Sequence, residues 1–311
     1  MRVAFFDCSS GASGDMLLGS VLDVLRIESA TPDDVHQAVA PWEDEVSGLL
    51  ESEPGGRYAL GRVLRAGMAA LKVDFYVGDV HADRHGAGLP LPHRPAEAPG
   101  HHHGSDHHHH HHDHHQHPEQ TPHHEHHHAH AHHRHLGDIL KLLTDEHQAG
   151  RLSAEAMELA SEIFGILGEA EASVHGCSLE EVHFHEVGAF DSIMDIAGFA
   201  AAFHMLGTSR VVASPVTLGS GTVKAAHGLM AVPTPAVVEI LRAYRIPTSD
   251  ITLPGECLTP TGAAILAAIV DEWQPIPHFR RILAQGTGAG SRDPREKANV
   301  VRLILGDAAE E

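Results

Sequence analysis

The chain has 311 residues, with 42 acidic and 21 basic side chains and a formal net charge of −21. That balance excludes a nucleic-acid backbone or an anionic membrane surface as a partner. Apolar residues make up 42% and aromatic ones only 5%, so a sizeable core is available but Ala, Val, Leu and Ile must carry its packing. Cys8, Cys177 and Cys257 are far apart, which excludes a disulfide framework and a Cys-rich zinc site. The N-terminus reaches Asp7 too soon for a signal peptide. No apolar run approaches the ~18 residues of a membrane span. A soluble, cytoplasmic protein is expected.

Residues 3–6 read as a strand ending at Asp7. The small-residue loop Cys8-Ser9-Ser10-Gly11-Ala12-Ser13-Gly14-Asp15 follows, and Met16, Leu17, Val21, Leu22 and Leu25 then recur at helical spacing. A second helix is expected from Thr31 as N-cap with Pro32 in its first turn. Residues 58–64 and 72–77 alternate as strands. From His81 the composition collapses. Twenty-one of the 35 residues at 101–135 are His, too few core formers to bury an apolar surface. Residues 78–135 are therefore expected to be a disordered insertion in one domain made of 1–77 and 136–311.

Order is predicted to resume with a helix at Leu136, Ile139, Leu140 and Leu143. Ser153 caps a longer helix towards Val174. Residues 181–187 read as a strand and 191–206 as a helix. Short strands are expected at 211–213 and 216–218, and a helix at 235–242. Thr259 caps a further helix running to Trp273. Strands at 279–284 and 299–305 close the chain, with Gly286–Gly290 as a turn between them. Helices and strands mix throughout, so the class is α/β or α+β: a mixed sheet with packed helices.

Three groups of residues can carry chemistry. The His tract offers many imidazoles, good ligands for Ni, Zn, Cu and Co, and is internal and irregular, unlike a tag. His183 and His185 fall on one face of the expected strand. With Glu186, Asp191 and Asp195 they form a candidate metal site of nitrogen and oxygen donors, although either His could instead be bonded in the core and Asp191 could cap a helix. The loop Ser9, Ser10, Gly11, Ser13 and Gly14 precedes a helix and suits an anion such as phosphate, or is a tight turn with Ser13 or Asp15 as cap. It lacks the Lys of an NTPase phosphate loop. Asp7, Asp15 and His227 are the candidates for catalytic roles.

Taken in order, these motifs resemble one family. They are Asp7-Cys8-Ser9-Ser10-Gly11-Ala12-Ser13-Gly14-Asp15-Met16, the His-rich insertion, Val182-His183-Phe184-His185-Glu186-Val187-Gly188-Ala189, Asp191-Ser192-Ile193, Val232-Pro233-Thr234-Pro235-Ala236 and Leu258-Thr259-Pro260-Thr261-Gly262. The chain is similar to the LarC family of nickel insertion proteins over nearly its whole length outside the tract. The resemblance implies placement of Ni²⁺ into pyridinium-3,5-bisthiocarboxylic acid mononucleotide, giving one carbon–nickel and two sulfur–nickel bonds in a cofactor used by lactate racemase-type enzymes. It also implies CTP, with Mn²⁺ or Mg²⁺, bound by a C-terminal domain that this sequence is expected to lack. That departure points to a separate C-terminal nucleotide-binding chain as partner, or to a nickel-binding remnant. A homo-oligomer fits the same reading. The alternative is a nickel store or metallochaperone without catalysis. A metal-dependent hydrolase leaves the tract unexplained.

Overall fold

The computed structural model describes residues 1–82, 134–184, 189–225, 227–294 and 297–308. In chain order the elements are β1 (Arg2–Asp7), α1 (Gly14–Glu28), α2 (Val35–Glu51), β2 (Gly56–Arg65), β3 (Met68–Val77), β4 (Val80–His81), β5 (Arg134–His135), α3 (Leu136–Gln148) and α4 (Ala154–His175). Then come β6 (His183–Phe184), α5 (Phe190–His204), β7 (Arg210–Ala213), β8 (Gly219–Ser220), β9 (Thr222–Ala225), β10 (Gly228–Ala231) and α6 (Pro235–Tyr244). The chain closes with β11 (Gly255–Glu256), α7 (Pro260–Ile269), β12 (Glu272–Trp273), β13 (Phe279–Ala289) and β14 (Val300–Ala308).

The main sheet runs β12-β7-β1-β14-β13-β3-β2, with β4 added to β3. It is mixed, as expected. β1 lies parallel to β7 and antiparallel to β14. β1 is central because both of its faces are apolar. Ala4 and Phe6 join the main core, while Val3 and Phe5 meet Val212 and Ile304 on the other side. Helix α1 rests on β13 with no side chain between them at two points. A β-carbon on Gly286 would fall 2.2 Å from the Ser20 carbonyl oxygen, and one on Gly288 1.8 Å from that of Met16. α5 packs on α1, and α4 on α5. Trp42 is fully buried among these helices, its Nε1 donating to the Gly198 carbonyl at 2.9 Å. No helix among the described residues is long and apolar enough to cross a membrane.

Several expected elements move. Asp34, not Thr31, caps α2, its side chain accepting from the Gln37 N–H at 3.1 Å. Of the strand expected over 181–187, Glu181 ends a 3₁₀ turn (Leu179–Glu181), His183 and Phe184 form β6, and residues 185–187 lie outside the described residues. Residues 216–218 form no strand, only an isolated bridge from Val216 to Thr248. α7 stops at Ile269, because Glu272 and Trp273 join β7 in parallel. Gly286–Ala289 belong to β13, so the expected turn is a strand pressed against α1. The caps Ser153 and Thr259 are as expected, accepting from Ala156 and Gly262 N–H groups at 3.2 and 3.1 Å.

The described ends of the insertion are part of the fold. β4 pairs with β3, and β5 pairs with β6. Gly78 donates to the Gly55 carbonyl at 2.9 Å, Arg57 pairs with Asp79 at 2.6 Å, and Arg134 pairs with Glu53 at 2.9 Å. Both ends therefore leave from the α2–β2 turn. The segment 83–133, on which the expectation of disorder rests, lies outside the described residues.

Candidate functional site

The loop between β1 and α1 opens at the carboxyl end of the central strand, beside the end of parallel β7. Ligand sites in open α/β sheets form at such ends. Asp7 closes β1. Its carboxylate accepts from the Ser9 N–H at 3.1 Å and from Arg302 Nε at 3.1 Å, with a second contact to Arg302 Nη2. Burial pushes its pKa up, but the bonds from Arg302 and Ser9 outweigh that and hold it below the usual carboxylate range.

Gly11 has φ +94°, the left-handed region that favours glycine. A β-carbon there would sit 2.0 Å from the Cys257 carbonyl oxygen. That close approach lets Ala12 donate to the Cys257 carbonyl at 2.9 Å, while Thr259 donates to the Ala12 carbonyl at 3.1 Å. The loop is thereby tied to the start of α7. From the β7 side, Ser214 Oγ accepts from the Cys8 N–H at 2.9 Å, and Thr217 Oγ1 donates to the Ser9 carbonyl at 2.9 Å. The N–H groups expected to cradle an anion are mostly engaged within the protein: Ser9 with Asp7, Gly11 with Cys8, Ala12 with Cys257.

Gly14 carries the next contact. A β-carbon on it would lie 2.6 Å from Asp195 Oδ2. Asp195 of α5 is thus brought to the loop, as the sequence could not show. Asp15 Oδ1 accepts from the Met16 N–H at 2.8 Å and from the Ser13 hydroxyl.

The other oxygen of Asp15 opens a buried charge chain that sequence reasoning missed. Asp15 Oδ2 accepts from Lys72 Nζ at 3.1 Å, Lys72 Nζ lies 2.7 Å from Asp74 Oδ1, and Asp74 Oδ1 lies 2.9 Å from His81 Nε2. Lys72 and Asp74 are each 2% exposed. Burial pulls the Lys72 ammonium down, but Asp15 and Asp74 more than offset it, so its pKa stands above the usual lysine value. Lys72 and Asp74 alternate with Leu71, Val73 and Phe75 on β3, and that pair of opposite charges inside an apolar strand was the available signal.

The proposed metal ligands are placed unevenly. Val182 and Phe184 are buried and His183 is exposed, as alternation requires. His183 lies directly across from His135 in the β5–β6 register, with ring centroids 3.9 Å apart. His185 and Glu186 lie outside the described residues. Asp191 sits in the first turn of α5. His227 is exposed on the turn between β9 and β10, its ring 5.0 Å from that of His175. Among the described residues no three His, Cys, Asp or Glu side chains converge to hold one metal ion.

A cavity of about 420 Å³ adjoins the loop at Ser10, with Cys257, Arg292 and Lys297 in its wall. Burial raises the Cys257 thiol, while the charges of Arg292 and Lys297 pull it back. The Cys8 thiol is fully buried, and burial first, then the Asp7 charge, pushes its pKa well up.

The sequence profile of the nickel insertion protein family matches residues 4–311. A pyridinium-3,5-bisthiocarboxylic acid mononucleotide nickel insertion protein of Geobacillus kaustophilus (strain HTA426) is 33% identical over 307 residues, covering 99% of this chain and 60% of its own length. A protein of the same name from Desulfitobacterium hafniense (strain DSM 10664 / DCB-2) is 35% identical over 313 residues, covering 100% of this chain and 60% of its own. A relative in Geotalea uraniireducens (strain Rf4) is 45% identical over 307 residues, 99% of this chain and 61% of its own. The chain thus spans about 60% of the length of these relatives. No solved structure matches it.

Proposed function

The chain belongs to the LarC family of nickel insertion proteins, and from that premise we propose that it places Ni²⁺ into the pyridinium-3,5-bisthiocarboxylic acid mononucleotide for which two of its relatives are named. One observation carries this reading onto the structure: Asp195 abuts Gly14. Insertion requires metal and organic substrate within bonding distance. The helix bearing Asp191 and Asp195, with His183, His185 and Glu186 just before it in sequence, is the metal side. The loop Ser9–Gly14 is the substrate side, and the two meet at that contact.

The chemistry is a substitution. Ni²⁺ takes the place of a proton on a ring carbon while two thiocarboxylate sulfurs bind the metal. One proton leaves and no electrons are exchanged. A base beside the metal is needed, and Asp7 and Asp15 are the carboxylates the loop itself supplies. The ion pairs with Arg302 and Lys72 fix where these carboxylates point. The product would serve lactate racemase-type enzymes. By the same reading CTP, with Mn²⁺ or Mg²⁺, is bound by a C-terminal nucleotide-binding part, for which the 60% coverage of the relatives leaves room.

The test is mass spectrometry of the organic product after incubation of the chain with substrate, Ni²⁺ and CTP, with and without a separately supplied C-terminal segment. A product heavier by nickel and lighter by the one displaced proton is expected. Nickel retained by the protein, with no nickelated product under either condition, would establish the storage alternative instead.

A further inference from the structure

We propose that the cavity beside Ser10 anchors the phosphate monoester of the mononucleotide, with Arg292 and Lys297 as its ligands; this rests on the substrate reading above.

Cations are scarce in a chain with 21 basic against 42 acidic side chains. Around the loop most are already engaged: Arg302 pairs with Asp7, and Lys72 with Asp15 and Asp74. Arg292 and Lys297 stand in the wall of one cavity, and among the described residues neither is in ion-pair contact with a carboxylate. Both are held in place. Lys297 Nζ donates to the Ser9 carbonyl, which leaves two of its three N–H bonds for an anion. The Arg292 guanidinium lies in the space a side chain at Gly255 would fill, Nη1 being 2.5 Å from that β-carbon position. Its own carbonyl accepts from Asn299 Nδ2 at 3.0 Å, which braces the segment.

The rest of the wall tells what the anion is attached to. Leu253, Pro254, Pro294 and Ala298 give an apolar lining, suited to a flat ring and its sugar rather than to free inorganic phosphate. The volume of about 420 Å³ is that of a small-molecule site. A guanidinium and an ammonium beside apolar walls recognise a phosphate ester on a heterocyclic body. The position also explains how the loop can serve a phosphate although its N–H groups at Ser9, Gly11 and Ala12 are engaged internally: the charge comes from the segment that faces it. Asp293 is a carboxylate on the same rim and works against the anion.

The experiment is isothermal titration of the full chain with nicotinic acid mononucleotide, its dephosphorylated riboside and inorganic phosphate. The mononucleotide should bind, and the riboside and inorganic phosphate should each bind about tenfold more weakly or less. Arg292→Gln and Lys297→Gln should each weaken the mononucleotide about tenfold and leave the riboside unchanged, while Asp293→Asn tightens it. Thermal midpoints of the three variants, compared with the parent, verify folding. A parent chain that fails to bind the mononucleotide, equal binding of mononucleotide and riboside, or both Gln variants binding like the parent would overturn the assignment. Mononucleotide binding that depends on both cations, with no nickelated product either with or without the C-terminal segment, would instead overturn only the insertion reading.

Discussion

Asp195 Oδ2 stands 2.6 Å from where a β-carbon on Gly14 would be, so the first residue of α1 is glycine because a carboxylate from α5 fills its side-chain space. Gly14→Ala asks for no forbidden backbone, and alanine is the better helix former by up to about 1 kcal/mol. The added methyl must push Asp195 away. Nickel insertion should fall by an order of magnitude or more, and because Asp195 Cβ also stands 2.7 Å from that position, α5 must give way and the thermal midpoint should fall as well. A variant that inserts nickel at the parent rate would separate Asp195 from the chemistry.

Lys72 is the cation of a buried chain, flanked by Asp15 and Asp74. Lys72→Met leaves both carboxylates without it, and breaking a buried pair costs about 3–5 kcal/mol. The unfolding free energy from urea denaturation should fall by about that amount. The pH dependence has a definite sign. The folded-state pKa of Lys72 is raised, so its contribution is complete below the unfolded value and is lost as pH rises through the folded one. The parent should therefore lose stability at the alkaline end more steeply than the variant.

Asp7 works at the other end of the scale. Burial opposes its ionisation, but Arg302 and Ser9 win and its folded pKa lies below the ordinary carboxylate value. Its contribution is present above the unfolded pKa and is lost as pH falls through the folded value. Arg302→Met removes the main opposing influence and leaves burial. Acid unfolding of the variant, followed by circular dichroism, should begin at a higher pH than in the parent. Coincident acid limbs would show that the pair does not matter to stability.

Nickel binding should divide into two parts. The tract supplies many interchangeable imidazoles, whereas His135 and His183 are fixed opposite each other by strand pairing. Replacing residues 101–133 by a short Gly/Ser linker should remove most of the nickel measured by equilibrium dialysis near pH 7.5. The remaining ion should be lost in the shortened chain on His183→Ala or His135→Ala. Free imidazole titrates near ~6.5, so uptake by the full chain should fall sharply below about pH 5.5. Residual binding indifferent to both substitutions would place the ion elsewhere.

What could be read from sequence was local. The run Val3–Phe6, the small loop and the helical stripe from Met16 name their own elements, and Ser153 and Thr259 announce their caps. The misreadings came from tertiary contacts. Gly286 and Gly288 look like turn residues, but they are strand residues made small by α1 lying on them. Trp273 looks like the end of a helix, yet pairing with β7 claims it. The site was legible as a loop but not as an assembly. The partners of Asp15 come from β3, that of Gly14 from α5, and that of His183 from β5, at the end of the insertion. No spacing rule links positions so far apart in the chain.

The two ends of the insertion, at β4 and β5, emerge from one corner of the fold and are held there by the Arg57–Asp79 and Arg134–Glu53 pairs. The segment between them is covalently anchored at both ends, so the arrival at the domain of an ion it carried would be an intramolecular event. Supply from the tract would then be set by an effective concentration that falls as the tether lengthens, and not by the concentration of the protein. Diluting the protein should leave the rate of metal transfer from the tract unchanged. The same histidines added as a separate peptide would deliver metal in proportion to their concentration, and would compete poorly with the tethered source.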